Sequence, residues 1–113
     1  MPRQSLNRTN VPHALESALK QLGARIATAR TRRQLRQEDL ARKAGIHRLT
    51  LQKVEQGNPT TGIAAYFAAL WAMGLEAEFA DIARPERDEE GKTLERAREP
   101  KRVRESGALD ADF

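Results

Sequence analysis

Arg48, Gln52 and Lys53 fall within one short stretch, RLTLQK, and carry the donors and the amide that suit the edges of nucleic-acid bases. Arginine or lysine can donate to both O6 and N7 of guanine, and a glutamine amide can pair with the N6 and N7 edge of adenine. Leu49 and Thr50, between them, offer apolar contact to a thymine methyl. On an ordinary solvated helix the same side chains would have nothing to read, so the chemistry depends on what holds them. Leu51 and Val54 recur three residues apart, which gives residues 48–55 one apolar side and leaves Arg48, Gln52 and Lys53 on the other.

The element that must position this helix lies just before it. Leu40 and Ala44 recur four residues apart, Glu38 and Asp39 stand where a helix dipole favours negative charge, and Gly45 follows. A glycine there permits a positive φ, so the next helix can leave at a steep angle with His47 at its capping position. The spacing therefore predicts helix two from about Gln37 to Gly45 and helix three to about Glu55. A longer stripe of Leu15, Ala18, Leu19, Leu22, Ile26 and Ala29 predicts helix one over residues 14–32, weakened locally by Gly23, as cover for the pair.

After Asn58-Pro59, a fourth helix is expected from a Thr60 or Thr61 cap to Met73, with Gly74 as terminator. Its sequence, GIAAYFAALWAM, holds no charge and is far too short to span a bilayer. Being apolar nearly all round, it should be covered on more than one side. Ile63, Phe67 and Leu70 are assigned to the core, and Tyr66, Trp71 and Met73 to a second subunit. Residues 75–79 alternate apolar and acidic side chains, the pattern of a short strand whose simplest partner is its own copy. Leu75, Ala77 and Phe79 thereby join the expected dimer interface. Residues 86–98 could form a helix through Glu-to-Arg pairs but have almost nothing to bury, so residues 83–113 are read as a mobile charged tail. A loose arm, residues 1–12, and a domain over residues 13–82 complete the organisation.

The 113-residue chain is one small domain with a single modest core. It has no cysteine, hence no disulfide framework, thiolate nucleophile or cysteine zinc site. The first residues hold no apolar run that could act as a signal peptide, which makes a cytoplasmic protein the expectation. The net charge of +4 is unevenly spread: residues 20–57 carry ten Lys or Arg against three acids, and residues 75–113 carry eight against twelve. A basic helical part points to a polyanion, and an acid-rich part to some other role.

Leu35-x-Gln37-x-x-Leu40-Ala41-x-x-Ala44-Gly45-Ile46, then Val54-Glu55-x-Gly57, then Asn58-Pro59 and a helix ending at Gly74-Leu75, resemble the Cro and phage-repressor type helix-turn-helix regulators, also called Xre-like. The resemblance covers residues 22–75. It implies an all-α, five-helix, lambda-repressor-like fold, here with a short C-terminal dimerisation strand, and a homodimer on a double-stranded DNA operator. It also implies a structural pair between Arg30 and Glu55. By family position or charge, Arg36, Gln37, Arg42, Lys43 and His47 become the phosphate-contacting set. The chain departs from the family in having Gln34 where Gly is frequent, and Arg36 and His47 where Ser or Thr caps are usual. A strand after the last helix, and residues 81–87, resemble the HipB-like antitoxin branch, which implies a HipA-like kinase toxin as protein partner.

Three functions follow from this reading. The first is a repressor that is also the antitoxin of a toxin-antitoxin pair. The second is a stand-alone Xre-type regulator with no toxin, and the third is an interaction protein that silences an enzyme and binds DNA secondarily; a nuclease is the alternative toxin for the first. An enzyme is not expected. His13 and His47 lie in unrelated surroundings, no His-carboxylate spacing suggests a metal, no nucleophile motif is present, and no cofactor is implied.

Overall fold

A computed structural model describes residues 10–100. Among these residues there are five α-helices and no strand: α1 (His13–Arg32), α2 (Gln37–Ala44), α3 (Arg48–Glu55), α4 (Ile63–Ala72) and α5 (Glu89–Ala97). Short 3-10 turns occupy Glu76–Glu78 and Pro85–Arg87. The chain divides into two compact units, Met1–Ala80 and Asp81–Phe113, a boundary two residues earlier than residue 82.

In the first unit α1 packs on α3, α2 packs on both α3 and α4, and α3 also packs on α4. Ile26, Leu40, Leu51 and Val54 are the largest fully buried side chains, one from α1, one from α2 and two from α3. Their spacing is the apolar stripe of each helix, so the core is where the three stripes meet. Tyr66, Ala69, Leu70 and Met73 close it from α4. Burial of Tyr66 raises the pKa of its phenol, and the hydroxyl is satisfied by donating to the Asn58 carbonyl at 2.8 Å.

All four helices of this unit end in the same way. The backbone turns left-handed at Gln34, Gly45, Gly57 and Gly74, and the following amide bonds back to a carbonyl five residues earlier. Three of these positions are glycine. At Gln34, φ is 55°, a conformation that costs a side-chain-bearing residue free energy.

The start of α4 differs from the expectation. Thr60 is held in a turn by Asn58, whose Oδ1 accepts from the Thr60 amide at 2.8 Å and from its hydroxyl at 2.6 Å. Neither threonine caps the helix; Gly62 is the N-cap and has no side chain to do so. The faces of α4 also differ. Ile63, assigned to the core, is 65% exposed, whereas Tyr66 and Met73, assigned to a second subunit, are buried in the protomer's own core. A helix apolar on every side has no moment to say which side turns inward, and its packing against α2 and α3 decided it.

Residues 75–79 are not a strand. The bond from the Leu75 amide to the Leu70 carbonyl (2.9 Å) starts a turn, and the Glu78 amide bonds to the Leu75 carbonyl at 3.0 Å. Leu75 and Phe79 both pack against the core, while Ala77 is exposed. Phe79 stacks on Phe67 with ring centroids 4.2 Å apart and planes 10° apart. Apolar residues four apart fit a helical turn as well as they fit a strand, and a local turn satisfies its backbone without a partner edge.

The second unit contains α5, in a region read from sequence as a mobile tail. Its start is fixed by Asp88, whose Oδ1 accepts from the Gly91 amide at 3.0 Å, with Glu89 and Glu90 favourably placed in the first turn. Lys92 pairs with Glu89 at 3.1 Å, and Asp81 pairs with Arg84 at 2.9 Å and with Arg87 at 3.4 Å. Leu94 is exposed, so α5 is built from a cap and charge pairs, without a core of its own.

Candidate nucleic-acid interface

α3 is anchored by Leu51 and Val54, both with no exposed surface, and this fixes its outward side. Arg48, Leu49 and Lys53 are exposed there, and Thr50 and Gln52 are half-buried. The helix begins at His47, whose Nδ1 accepts from the Leu49 amide at 3.1 Å. The imidazole thus does the work of a Ser or Thr cap, and its remaining nitrogen, Nε2, is the one left to donate outward.

The other end of α3 is held by a part-buried ion pair. Glu55 receives Arg30 Nε at 2.6 Å and Arg30 Nη2 at 3.1 Å, a two-pronged pair whose side chains are 7% and 14% exposed. Arg30 Nη1 also donates to the Leu35 carbonyl at 2.8 Å, and Gln37 Nε2 donates to Glu55 Oε1 at 2.9 Å. One carboxylate therefore ties the end of α1, the loop after it, the start of α2 and the end of α3 into a single arrangement. Its chemical role is to fix the angle at which α3 is offered.

A second device at this end is backbone contact. Gly23 lies in α1 against the last turn of α3, where a Cβ would sit 2.7 Å from the Glu55 carbonyl oxygen and 2.8 Å from the Gly57 amide nitrogen. Gly57, at φ 71°, faces back so that its own Cβ would fall 2.6 Å from the Leu19 carbonyl oxygen. Sequence reasoning took Gly23 only as a weak point of helix one. Its place on the apolar stripe, next to Leu22 and three before Ile26, was the available sign of a close approach.

The cations sort into two groups. Arg36 Nε lies 3.1 Å from Asp39 and Arg36 Nη1 lies 3.2 Å from Glu38, while Arg42 lies 3.7 Å from Asp39. Arg36 and Asp39 form half of a capping box, in which the Asp39 carboxylate accepts from the Arg36 amide at 2.9 Å and from its guanidinium. Arginine has no acceptor to complete the other half. The pairing holds the Asp39 carboxyl below the usual carboxylate range and raises the Arg36 guanidinium further. By contrast, none of the ion pairs among the described residues involves Lys43, Arg48 or Lys53.

Of the residues expected to contact phosphate, Lys43 is exposed and enters no ion pair among the described residues, and His47 keeps one donor. Arg36 is engaged by two carboxylates with its side chain 72% exposed, Arg42 by one, and Gln37 is tied to Glu55. Of the residues assigned to a dimer interface, Trp71 (59% exposed) and Ala77 face outward, while Tyr66, Met73, Leu75 and Phe79 pack in the protomer.

No described helix is long and apolar enough to cross a membrane. No curated protein and no solved structure matches the chain. Residues 21–75 match the family model of a helix-turn-helix domain, a span that runs from within α1 through α2, α3 and α4 to Leu75. α2 and α3, joined through Gly45 over a shared core, have the arrangement that this match describes, and the likeness supports a DNA-binding regulator of the Xre-like kind.

Proposed function

We propose that the chain is a cytoplasmic, sequence-specific transcriptional repressor that binds an inverted-repeat operator as a homodimer, with α3 in the major groove. The observation that carries this reading is the outward side of α3: among the described residues Arg48 and Lys53 enter no ion pair, on a helix held at both ends by His47 and Glu55. Unpaired cations keep their full attraction for phosphate and guanine, whereas paired ones must first give up a partner. Lys43 and His47 supply phosphate contacts beside them, and an operator of two half-sites about one helical turn apart matches a two-fold protein. The chain carries no catalytic role and no cofactor in this reading.

Neutralising a HipA-like kinase toxin is the second role we weigh. With residues 75–79 forming a helical turn, that role is supported only by the resemblance of residues 81–87, and the stand-alone regulator is the simpler reading. Co-purification with the product of a neighbouring reading frame separates the two.

The experiment for DNA binding is selection of an operator from random duplexes, followed by anisotropy titrations at several salt concentrations. Arg48→Ala and Lys53→Ala should each cost about 1–3 kcal/mol and relax sequence choice at one position per half-site. Lys43→Ala should weaken all duplexes alike and reduce the salt slope by about 1. Unchanged binding of operator and random DNA by both α3 variants would remove α3 as the reading element.

A further inference from the structure

A cleft runs between the C-terminal half of α1 and the end of α4, outside the residues assigned to DNA. Leu22, Ile26 and Ala29 recur at helical spacing along α1 and, with Leu70 and Leu75 from the other wall, line a cavity of about 220 Å³. Thr28, Arg32 and Arg33 line a second cavity of about 370 Å³, and Arg25, Ala29 and Leu75 belong to both. The two are adjoining lobes of one cleft, the first apolar and the second cationic. We infer that this cleft binds a small monocarboxylate with an apolar body, of the size of hexanoate or 3-phenylpropionate, whose carboxylate meets the arginines and whose hydrocarbon fills the apolar lobe. The inference goes beyond the DNA reading and does not rest on it.

Charge is the first support. Among the described residues no ion pair involves Arg25, Arg32 or Arg33. Arg25 Nη2 reaches only the Gln21 amide oxygen, at 3.4 Å, and Arg33 Nη1 donates to the Ala29 carbonyl at 3.0 Å, so each guanidinium keeps further donors for a carboxylate. A guanidinium can hold a carboxylate through two parallel N–H bonds, which gives such a group a preferred orientation. Glu78 is the one carboxylate on the cleft, and it lines the apolar lobe. The arginines outweigh it, so the net pull is on an anion, while Glu78 opposes a second negative charge at the apolar end.

The apolar lobe is the second support. Ile26 and Leu70 are buried, and Leu22, Ala29 and Leu75 are half-buried, so its walls offer hydrocarbon and few donors. Phosphate, whether free or on a duplex, would use the arginines and leave this lobe wet. Together the lobes have the size of small-molecule sites, roughly 300–1,000 Å³, which are largely apolar with a few placed polar groups. A ligand seated there touches both α1 and the residues after α4, so its binding stabilises the folded domain by mass action.

The test uses the full chain and five probes: hexanoate, 3-phenylpropionate, acetate, hexylamine and inorganic phosphate. The first two should raise the thermal unfolding midpoint and shift amide resonances centred on Ala29 and Leu75; the other three, at the same concentration, should do neither. Hexanoate should bind at least about tenfold more tightly than acetate, since each covered methylene strengthens binding roughly threefold to fourfold. Arg25→Gln and Arg32→Gln, at exposed positions, should unfold at the parent's midpoint without ligand and each weaken hexanoate at least about fivefold. Arg96→Gln, which removes the same charge from the exposed side of α5, should leave hexanoate binding unchanged. Acetate or phosphate binding as well as hexanoate, or hexanoate indifferent to both arginine variants, overturns the inference. A reduced salt slope of duplex binding in Arg25→Gln or Arg32→Gln overturns it as well, because these arginines would then be phosphate contacts of the DNA surface.

Discussion

Replacing Gly23 by alanine tests the packing of the domain by the sign of the result. Gly23 is inside a 20-residue helix, where exchanging glycine for alanine normally gains about 1 kcal/mol. The structure gives the opposite answer. The new Cβ would lie 2.7 Å from the Glu55 carbonyl oxygen and 2.8 Å from the Gly57 nitrogen, where 3.4 Å is the start of ordinary contact. These neighbours are backbone atoms, so no rotamer change relieves the overlap, and α1 must move away from α3 by more than half an ångström. Overpacking of this kind costs about 1–3 kcal/mol, and more where backbone must shift. Set against the propensity gain, a net loss of about 1–2 kcal/mol is expected. Urea unfolding followed by far-ultraviolet circular dichroism measures it, with Ala24→Gly, exposed on the next position, as the reference. Both substitutions should destabilise although they exchange the same two residues in opposite directions. Because the displaced turn contains Glu55, Gly23→Ala should also weaken operator binding at temperatures where the variant is fully folded. A Gly23→Ala protein more stable than the parent would refute the close approach of α1 and α3.

Three further outcomes follow from the same geometry. Arg30→Ala or Glu55→Ala alone should cost about 3 kcal/mol, because each strands a charge that is largely withdrawn from water, and a double-mutant cycle should show the two losses to be far from additive; a coupling energy near zero would remove the pair from the account. Gln34→Gly should stabilise the domain by about 0.5–1 kcal/mol in thermal or urea unfolding, since the left-handed turn at φ 55° no longer strains a side-chain-bearing residue, and no gain would show that the turn is tolerated without cost. The Asp39 carboxyl titrates below its ordinary value of 3.8 in the folded chain because Arg36 donates to it, so its contribution is complete above that value and is lost as pH falls through the depressed one. Asp39→Asn should accordingly remove part of the acid sensitivity of stability below about pH 4, and an unchanged acid limb would exclude this pair from the folding balance.

Much of the domain follows from local pattern in the chain. The stripes that contain Ile26, Leu40, Leu51 and Val54 had a single helical period, so their inward sides were determined before any tertiary contact, and with them the outward placement of Arg48 and Lys53. Gly45 and Gly74 marked helix ends because a left-handed turn leaves few alternatives to glycine. The fourth helix was different: apolar on every side, it contains no information about which side is core, and only packing against α2 and α3 buried Tyr66 and Met73 and left Ile63 and Trp71 outside. Residues 75–79 fit two periods, and the fold chose the turn because Leu75 and Phe79, four apart, could both reach the core and Phe79 could stack on Phe67. The partners of Glu55 were likewise decided in three dimensions. Arg36 and Arg42 find Glu38 and Asp39 two or three residues away, but Arg30 and Gln37 reach Glu55 across 25 and 18 residues, and no spacing along the chain states that they do.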